Sequence, residues 1–202
     1  MSDSLLDLGT DPIFTAKPNW TTTPSEGFDS GREVIQYNQA FASIRSLTAN
    51  NARQMQYSYF NRTKAEEYYL LNFFYTQRGR LKRFWLPVNY QEFQISVAIR
   101  SVDNLVHYYD NNFSLAYKGY ERFYLLLKDG TQISRKITSV TGTTQLNFGS
   151  TFPQNIAIAD IRYAGLILLA RFDQDEIELQ HTTNNLSECS IAFQELPNEY
   201  DL

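Results

Sequence analysis

The sequence predicts a mainly β (α+β) protein, an antiparallel β-sandwich or barrel with one flanking helix at about residues 63–78. Apolar and polar side chains alternate along residues 53–60, as in a half-buried antiparallel strand. Asp129-Gly130 separates two β-rich runs and favours a hairpin with a type I′ turn. One run, residues 65–78, contains neither Gly nor Pro and has helical periodicity instead.

The helix has a start signal and two distinguishable faces. Thr63 can cap its first turn, and Glu66 can reach back to the cap amide. Gly79 should supply a left-handed stop. One face carries Leu70, Phe73, Phe74 and Gln77, and the neighbouring face carries Tyr68, Leu71 and Tyr75. A helix of this length needs a sheet to lie on.

The other elements are predicted as strands from β-branched and aromatic runs. Residues 156–172 are long enough for a helix, but their Ile and Leu density, the interior Gly165 and the preceding strands favour a central strand with a bulge. Strands are predicted within 33–47, 53–60, 81–87, 93–102, 122–128, 131–140, 141–148, 156–172, 176–180 and 187–194.

Composition shifts suggest a domain organisation. Residues 1–30 read as an extended N-terminal arm. Residues 31–100 and 156–197 would form a host β domain, 101–155 an inserted β subdomain, and 198–202 an acidic surface tail. Phe14 and Trp20 in the arm are costly to leave in water, so at least one should dock on the body or on a neighbouring subunit.

Charge and composition narrow the class of protein. In 202 residues, 43% are hydrophobic, which is enough for a substantial core, and the net charge of −4 argues against a protein that grips nucleic acid by its phosphates. A single cysteine, Cys189, excludes an intrachain disulfide framework. No apolar run is long enough for a signal peptide or a membrane helix, so we expect a product that is soluble and cytoplasmic when made, without a membrane.

The sequence predicts no catalytic residues, no metal site and no cofactor. The two histidines, His107 and His181, and the one cysteine have no zinc-like spacing, and no Gly-rich phosphate loop is present. Asp173, Asp175, Glu176 and Glu178 form the densest acidic cluster. Paired carboxylates could catalyse glycoside hydrolysis or bind calcium. A strand with one face in solvent explains the cluster equally, because its acidic side chains would alternate with apolar ones.

Two charged clusters are candidate subunit contacts. Arg78, Arg80, Lys82 and Arg83 surround the end of the helix, where cations complement its dipole. Alternatively, they pair with Asp173, Asp175 and Glu176 of an adjacent copy in a head-to-tail ring contact. Phe14 and Trp20 of the arm complete the set of candidate contacts.

Several segments of the chain carry a family resemblance: the Tyr/Phe-rich helix 66–75, Gly79-Arg80, Phe84-Trp85-Leu86-Pro87, Ala170-Arg171-Phe172-Asp173, Asp175-Glu176-Ile177-Glu178 and Phe193-Gln194-Glu195-Leu196-Pro197. In these segments the chain resembles the distal tail proteins of long-tailed bacteriophages (siphophages), which build the tail tip. The resemblance as a whole extends over about half of the chain.

The resemblance implies a non-enzymatic structural protein of the virion with a tail-tube-like fold. It implies a homo-oligomeric ring, usually a hexamer, in the baseplate, contacting the tail tube protein and the tail hub or other tail-tip proteins. DNA would pass through the channel without specific binding. Two other hypotheses are a carbohydrate-binding or adhesin-like β module and a hydrolase that uses the acidic cluster.

Overall fold

The chain is mainly antiparallel β structure with one long helix. The computed structural model describes residues 6, 8–19, 21–22, 24–29, 32–37, 41–46, 52–88, 90–183 and 186–200, with backbone alone for 29, 32–37 and 41–46. The elements are β1 (Ser25–Asp29), β2 (Arg32–Tyr37), β3 (Phe41–Ser46), β4 (Ala52–Asn61), α1 (Lys64–Gln77), β5 (Phe84–Pro87), β6 (Leu105–His107), α2 (Phe113–Ala116), β7 (Arg122–Leu127), β8 (Gln132–Thr141), β9 (Gln145–Phe148), β10 (Ile161–Phe172), β11 (Gln180–His181) and β12 (Ser187–Glu195). This confirms the prediction of a mainly β protein with one flanking helix.

The chain divides into two compact units. Unit 1 comprises Met1–Thr15 and Trp85–Leu168, and unit 2 comprises Ala16–Phe84 and Leu169–Leu202. The sequence placed the inserted segment at 101–155, whereas these units change over after residues 15, 84 and 168. No Gly/Ser linker marks the last two of these changes, because after residues 84 and 168 the chain passes from one unit to the other inside strands β5 and β10.

Unit 1 is an antiparallel sheet in the order β10-β7-β8-β9-β6. Residues 88 and 90–99 run between its two ends, and only isolated bridges form within 93–102, where a strand was predicted. The Val88 amide donates to the Leu166 carbonyl at 3.0 Å, and the Ser96 amide donates to the His107 carbonyl at 3.0 Å. The aromatic core of this unit consists of Phe93, Tyr108, Phe123, Phe148 and Phe152, all buried.

The Asp129-Gly130 hairpin forms as predicted, but its turn is not type I′. Gly130 has a φ of 91°, while Asp129 does not have a positive φ. The Leu127 amide donates to the Thr131 carbonyl at 2.9 Å, and the Gly130 amide donates to the Leu127 carbonyl at 3.1 Å. A three-residue loop, a type I turn followed by a left-handed glycine, accounts for this pattern.

β10 is the predicted central strand, and its irregularity lies between Ile161 and Tyr163 rather than at Gly165. Gly165 is required for another reason. A Cβ at this position would meet the Tyr163 hydroxyl and lie 3.1 Å from the Tyr90 carbonyl. The Tyr163 side chain therefore occupies the space that any side chain at residue 165 would need.

Unit 2 pairs β1 with β4, β4 with β12, and β12 with the end of β10 and with β11. β2 and β3 form a separate hairpin. β1 falls within residues 1–30, so the segment predicted as an extended arm contains a strand that pairs with β4. The sequence did not reveal this strand because Ser, Glu, Gly and Asp dominate it, and Ser25 to Phe28 are exposed at the edge of the sheet.

Two predictions near the C-terminus need correction. Residues 176–179, predicted as part of a strand, lie outside β11. The Ala192 amide in β12, which a longer β11 would have bonded, donates instead to the Gln174 side chain at 3.0 Å. The predicted surface tail also docks in part. Tyr200 is buried, and its hydroxyl accepts the Leu169 amide at 3.0 Å.

Helix α1 begins as predicted and ends one residue earlier than expected. The Thr63 hydroxyl accepts the Glu66 amide, and the Glu66 carboxylate accepts the Thr63 amide, which completes the capping box. Arg78, rather than Gly79, is the first left-handed residue, with a φ of 55°. Leu70, Phe73, Phe74 and Gln77 face inward, which confirms the predicted buried face.

Gly79 should tolerate alanine less well than Gly142. Both glycines have a φ near 60°, so an alanine at either position is destabilised by about 1 kcal/mol in the left-handed conformation. Only at Gly79 would the new Cβ lie 3.1 Å from the Gln174 carbonyl and Asp175 Oδ1. We expect Gly79→Ala to lower the free energy of unfolding by roughly 1 kcal/mol more than Gly142→Ala in urea titrations. Equal losses would contradict this explanation.

Candidate interaction surface

The outer face of α1 exposes large apolar side chains. Tyr68 is 63% exposed, Tyr75 is 68% exposed, and Leu81 just beyond the helix is 70% exposed. Tyr68 and Tyr75 are seven residues apart and therefore lie on the same side of the helix, with the half-buried Leu71 beside them. We call Tyr68, Leu71, Tyr75 and Leu81 the tyrosine face. Aromatic side chains grouped in this way are typical of surfaces that bind other proteins.

The structure brings part of the predicted basic and acidic clusters together within one chain. The Arg80 guanidinium donates to the Asp173 carbonyl at 2.7 Å, and it lies 3.8 Å from the Asp173 carboxylate and 3.9 Å from that of Asp175. The Arg80 side chain is 55% exposed, so these ion pairs stabilise the fold only slightly. Their direct effect is to hold the 173–175 turn against the end of α1.

The other predicted charges are placed separately. Arg83 lies 3.8 Å from the Glu199 carboxylate and donates to the Glu199 carbonyl at 3.2 Å. Arg78, Lys82 and Glu176 are exposed, and none of them forms an ion pair with the described residues. A contact between these charges and a second copy stays a prediction.

The N-terminal segment is anchored on unit 1. Phe14 is 1% exposed, and its amide donates to the Trp85 carbonyl at 2.8 Å. The Trp85 amide donates to the Pro12 carbonyl at 2.8 Å, and the Trp85 indole donates to the Leu8 carbonyl at 2.7 Å. Phe14 therefore docks on the body of its own chain. Trp20 lies outside the described residues.

A buried carboxylate, which the sequence reading did not single out, lies under the start of α1. Lys64 Nζ donates to both Glu67 oxygens at 3.0 and 2.9 Å, and the Ser187 hydroxyl donates to Glu67 at 2.9 Å. His181 Nδ1 is 3.8 Å from the same carboxylate. The hydrogen bond from Lys64 is the main reason why the pKa of Glu67 is lowered. This cluster fixes the first turn of α1 to β12.

A cleft of about 280 Å³ in unit 2 lies between residues of β4 and β12. Its lining includes Tyr59, Glu178, Glu188, Cys189 and Ser190. Burial raises the pKa of the Cys189 thiol to about 12, so this thiol is protonated near neutral pH and a poor nucleophile. The cleft therefore does not present a reactive cysteine.

A second cleft, in unit 1, is lined by Gln91, Glu92, Gln94, Tyr109, Asp110 and Asn111. Consecutive tyrosines lie on opposite sides of the backbone here: Tyr108 is 1% exposed and Tyr109 is 58% exposed. Residues 110–112 form a turn in which the Asn112 amide donates to Asp110 Oδ1 at 2.9 Å. Nothing in the sequence indicated that residues 91–94 would lie beside this turn.

The described residues contain no group of three or more His, Cys, Asp or Glu side chains arranged to hold a metal ion. His107 belongs to unit 1 and His181 to unit 2. No helix in the described part of the chain is long and apolar enough to span a membrane.

Comparison with known proteins gives no relative: neither the protein-family models nor the curated proteins contain a match to this chain.

Proposed function

We propose that this protein is a structural component of a phage tail tip or baseplate. Copies would form a ring that joins the tail tube to the hub and the receptor-binding parts of the virion. The tyrosine face is the observation that carries this proposal, because its exposed rings on a helix that is firmly docked by its other side form a rigid contact surface. The work of the protein would be mechanical, with no bond made or broken in a substrate.

Two further features support the proposal. The resemblance in the α1 region and around residues 170–178 implies a mainly β fold with one flanking helix, and the chain has such a fold. The net charge of −4 also suits a ring through which DNA must pass without being held. A hexamer, contacts with the tail tube and hub, and a location in the virion all belong to the proposal.

A carbohydrate-binding or adhesin-like module is the second candidate. The cleft beside Tyr109 favours it, because an exposed ring surrounded by amides and carboxylates is typical of sugar-binding surfaces. Such a module would act as a monomer, so the mass in solution separates the two candidates.

The test is the mass of the purified chain, measured by light scattering and sedimentation over a wide concentration range. We expect a species of six times the 23.5 kDa chain mass. Tyr68→Ala combined with Tyr75→Ala should dissociate it, because truncating one central aromatic residue costs about 2 kcal/mol of association free energy. A monomer at every concentration would overturn the proposal.

A matched control uses apolar side chains that are equally exposed but lie elsewhere. Val102 is 73% exposed and Leu115 is 87% exposed, and both belong to unit 1. The double variant Val102→Ser, Leu115→Ser should keep the mass of the unmodified chain. If it dissociates as readily as the tyrosine variant, the tyrosine face has no special role in assembly.

A further inference from the structure

The cleft beside Tyr109 has the elements that a sugar ring requires. Tyr109 exposes more than half of its surface, and the electron-rich face of an aromatic ring attracts the C–H groups of a pyranose. Gln91, Gln94 and Asp110 are exposed around it and supply amide donors and acceptors as well as a carboxylate. A stacking platform with polar groups at its edge fixes both the position and the orientation of a saccharide.

The polar side chains of this cleft differ in how many hydrogen bonds they already make within the chain. Asp110 Oδ1 accepts the Asn112 amide at 2.9 Å, and no hydrogen bond to Oδ2 is seen within the described chain. One N–H of the Gln91 amide donates to the Phe93 carbonyl at 3.1 Å. The Gln94 side chain makes no hydrogen bond with the described residues, although its backbone carbonyl accepts the Tyr109 amide at 2.9 Å. Asp110 Oδ2 and the Gln94 amide can therefore bind sugar hydroxyls.

The platform is held in place before any ligand binds. The Asn111 side chain donates to the Glu92 carbonyl at 2.6 Å and accepts the Phe113 amide at 3.1 Å, which ties the 109–113 turn to the opposite wall of the cleft. Beneath it, the Phe93 ring packs against Tyr108 at 5.2 Å and Phe113 at 4.9 Å. A preorganised site loses less entropy on binding, which suits a small and weakly held ligand.

We propose that this cleft is a binding subsite for a neutral hexopyranose, with Tyr109 as the stacking platform and Gln94 and Asp110 as hydrogen-bond partners. The carboxylates of Glu92 and Asp110 line the cleft without a lysine or arginine among its lining residues, so sialic acids and uronic acids should be disfavoured. The inference deepens the carbohydrate-binding candidate and rests on it rather than on ring assembly, since Tyr109 is not part of the tyrosine face.

The test is saturation-transfer NMR on the full chain with methyl glycosides of glucose, galactose, mannose, rhamnose and N-acetylglucosamine. Glucuronic acid and N-acetylneuraminic acid serve as anionic comparators. We expect saturation transfer to at least one neutral glycoside and a weaker signal for both acids. Tyr109→Ala should weaken binding about tenfold or more, a factor that corresponds to the loss of one stacking contact. Tyr109→Phe should retain binding to within a few fold because the ring remains.

Phe28→Ala is the matched control, because Phe28 is similarly exposed but belongs to unit 2 and lies outside the tyrosine face. Saturation transfer should be unchanged in this variant. The proposal is overturned if no neutral glycoside of the panel receives saturation, or if Tyr109→Ala binds as well as the unmodified chain. It is also overturned if Tyr109→Ala changes the mass in solution and not sugar binding, which would make Tyr109 a subunit contact.

Discussion

Replacing Phe172 by alanine should cost about 3–5 kcal/mol of the free energy of unfolding of unit 2. Phe172 is fully buried, and its ring centroid lies 4.7 Å from Phe84, 4.8 Å from Phe74 and 5.5 Å from Phe193. The substitution removes the ring at which α1, β5 and β12 meet. A domain is typically stable by only about 5–15 kcal/mol, so the variant would lose a large fraction of its stability.

The helix should be the first element to respond. α1 has 14 residues, and helices of that length are marginal when they are not packed. Thermal unfolding followed by the helical circular dichroism signal should therefore show an earlier transition in Phe172→Ala. Asn72→Ala is the control from the outer side of the helix, where Asn72 is exposed, and it should change stability by about 0.5 kcal/mol or less. Similar losses in both variants would mean that the outer face of α1 is packed as well.

Local patterns in the sequence predicted the elements well because their causes are local. The capping box of Thr63 and Glu66 involves residues three apart, and the Asp129-Gly130 hairpin joins neighbouring strands. The alternation of Met55, Tyr57 and Tyr59 also survives in the structure, where all three are buried. Such features depend on a few consecutive residues, so one sequence is sufficient to find them.

The missed features depend on residues far apart in the chain. Glu67 looks like an ordinary acidic residue in a first helical turn, and only its contact with Ser187 shows why it is buried. Arg80 and Asp173 were both singled out, but their pairing within one chain depends on how the 173–175 turn meets the end of α1. The unit boundaries were missed for a related reason, since strand β10 contributes to both units and has no break in its apolar pattern.

Phe14→Ala should destabilise unit 1 by about 3–5 kcal/mol and release the N-terminal segment. Phe14 was a candidate subunit contact, yet it is 1% exposed within its own chain, and its amide is bonded to the Trp85 carbonyl. Truncating the ring leaves a cavity beneath residues 8–14, which the Trp85 contacts to Leu8 and Pro12 also hold. Local opening of this segment should then become more frequent, because the buried ring of Phe14 no longer opposes it.

Urea unfolding and limited thermolysin digestion together measure this effect. We expect faster cleavage near Ile13 in Phe14→Ala, identified by the mass of the released peptide, and a lower midpoint for unit 1. Thr10→Ala is the matched control, because Thr10 lies in the same segment and is exposed. Its digestion rate should equal that of the unmodified chain. If Phe14→Ala instead keeps full stability but lowers the mass in solution, Phe14 acts between subunits, and the anchoring role assigned to it within its own chain is wrong.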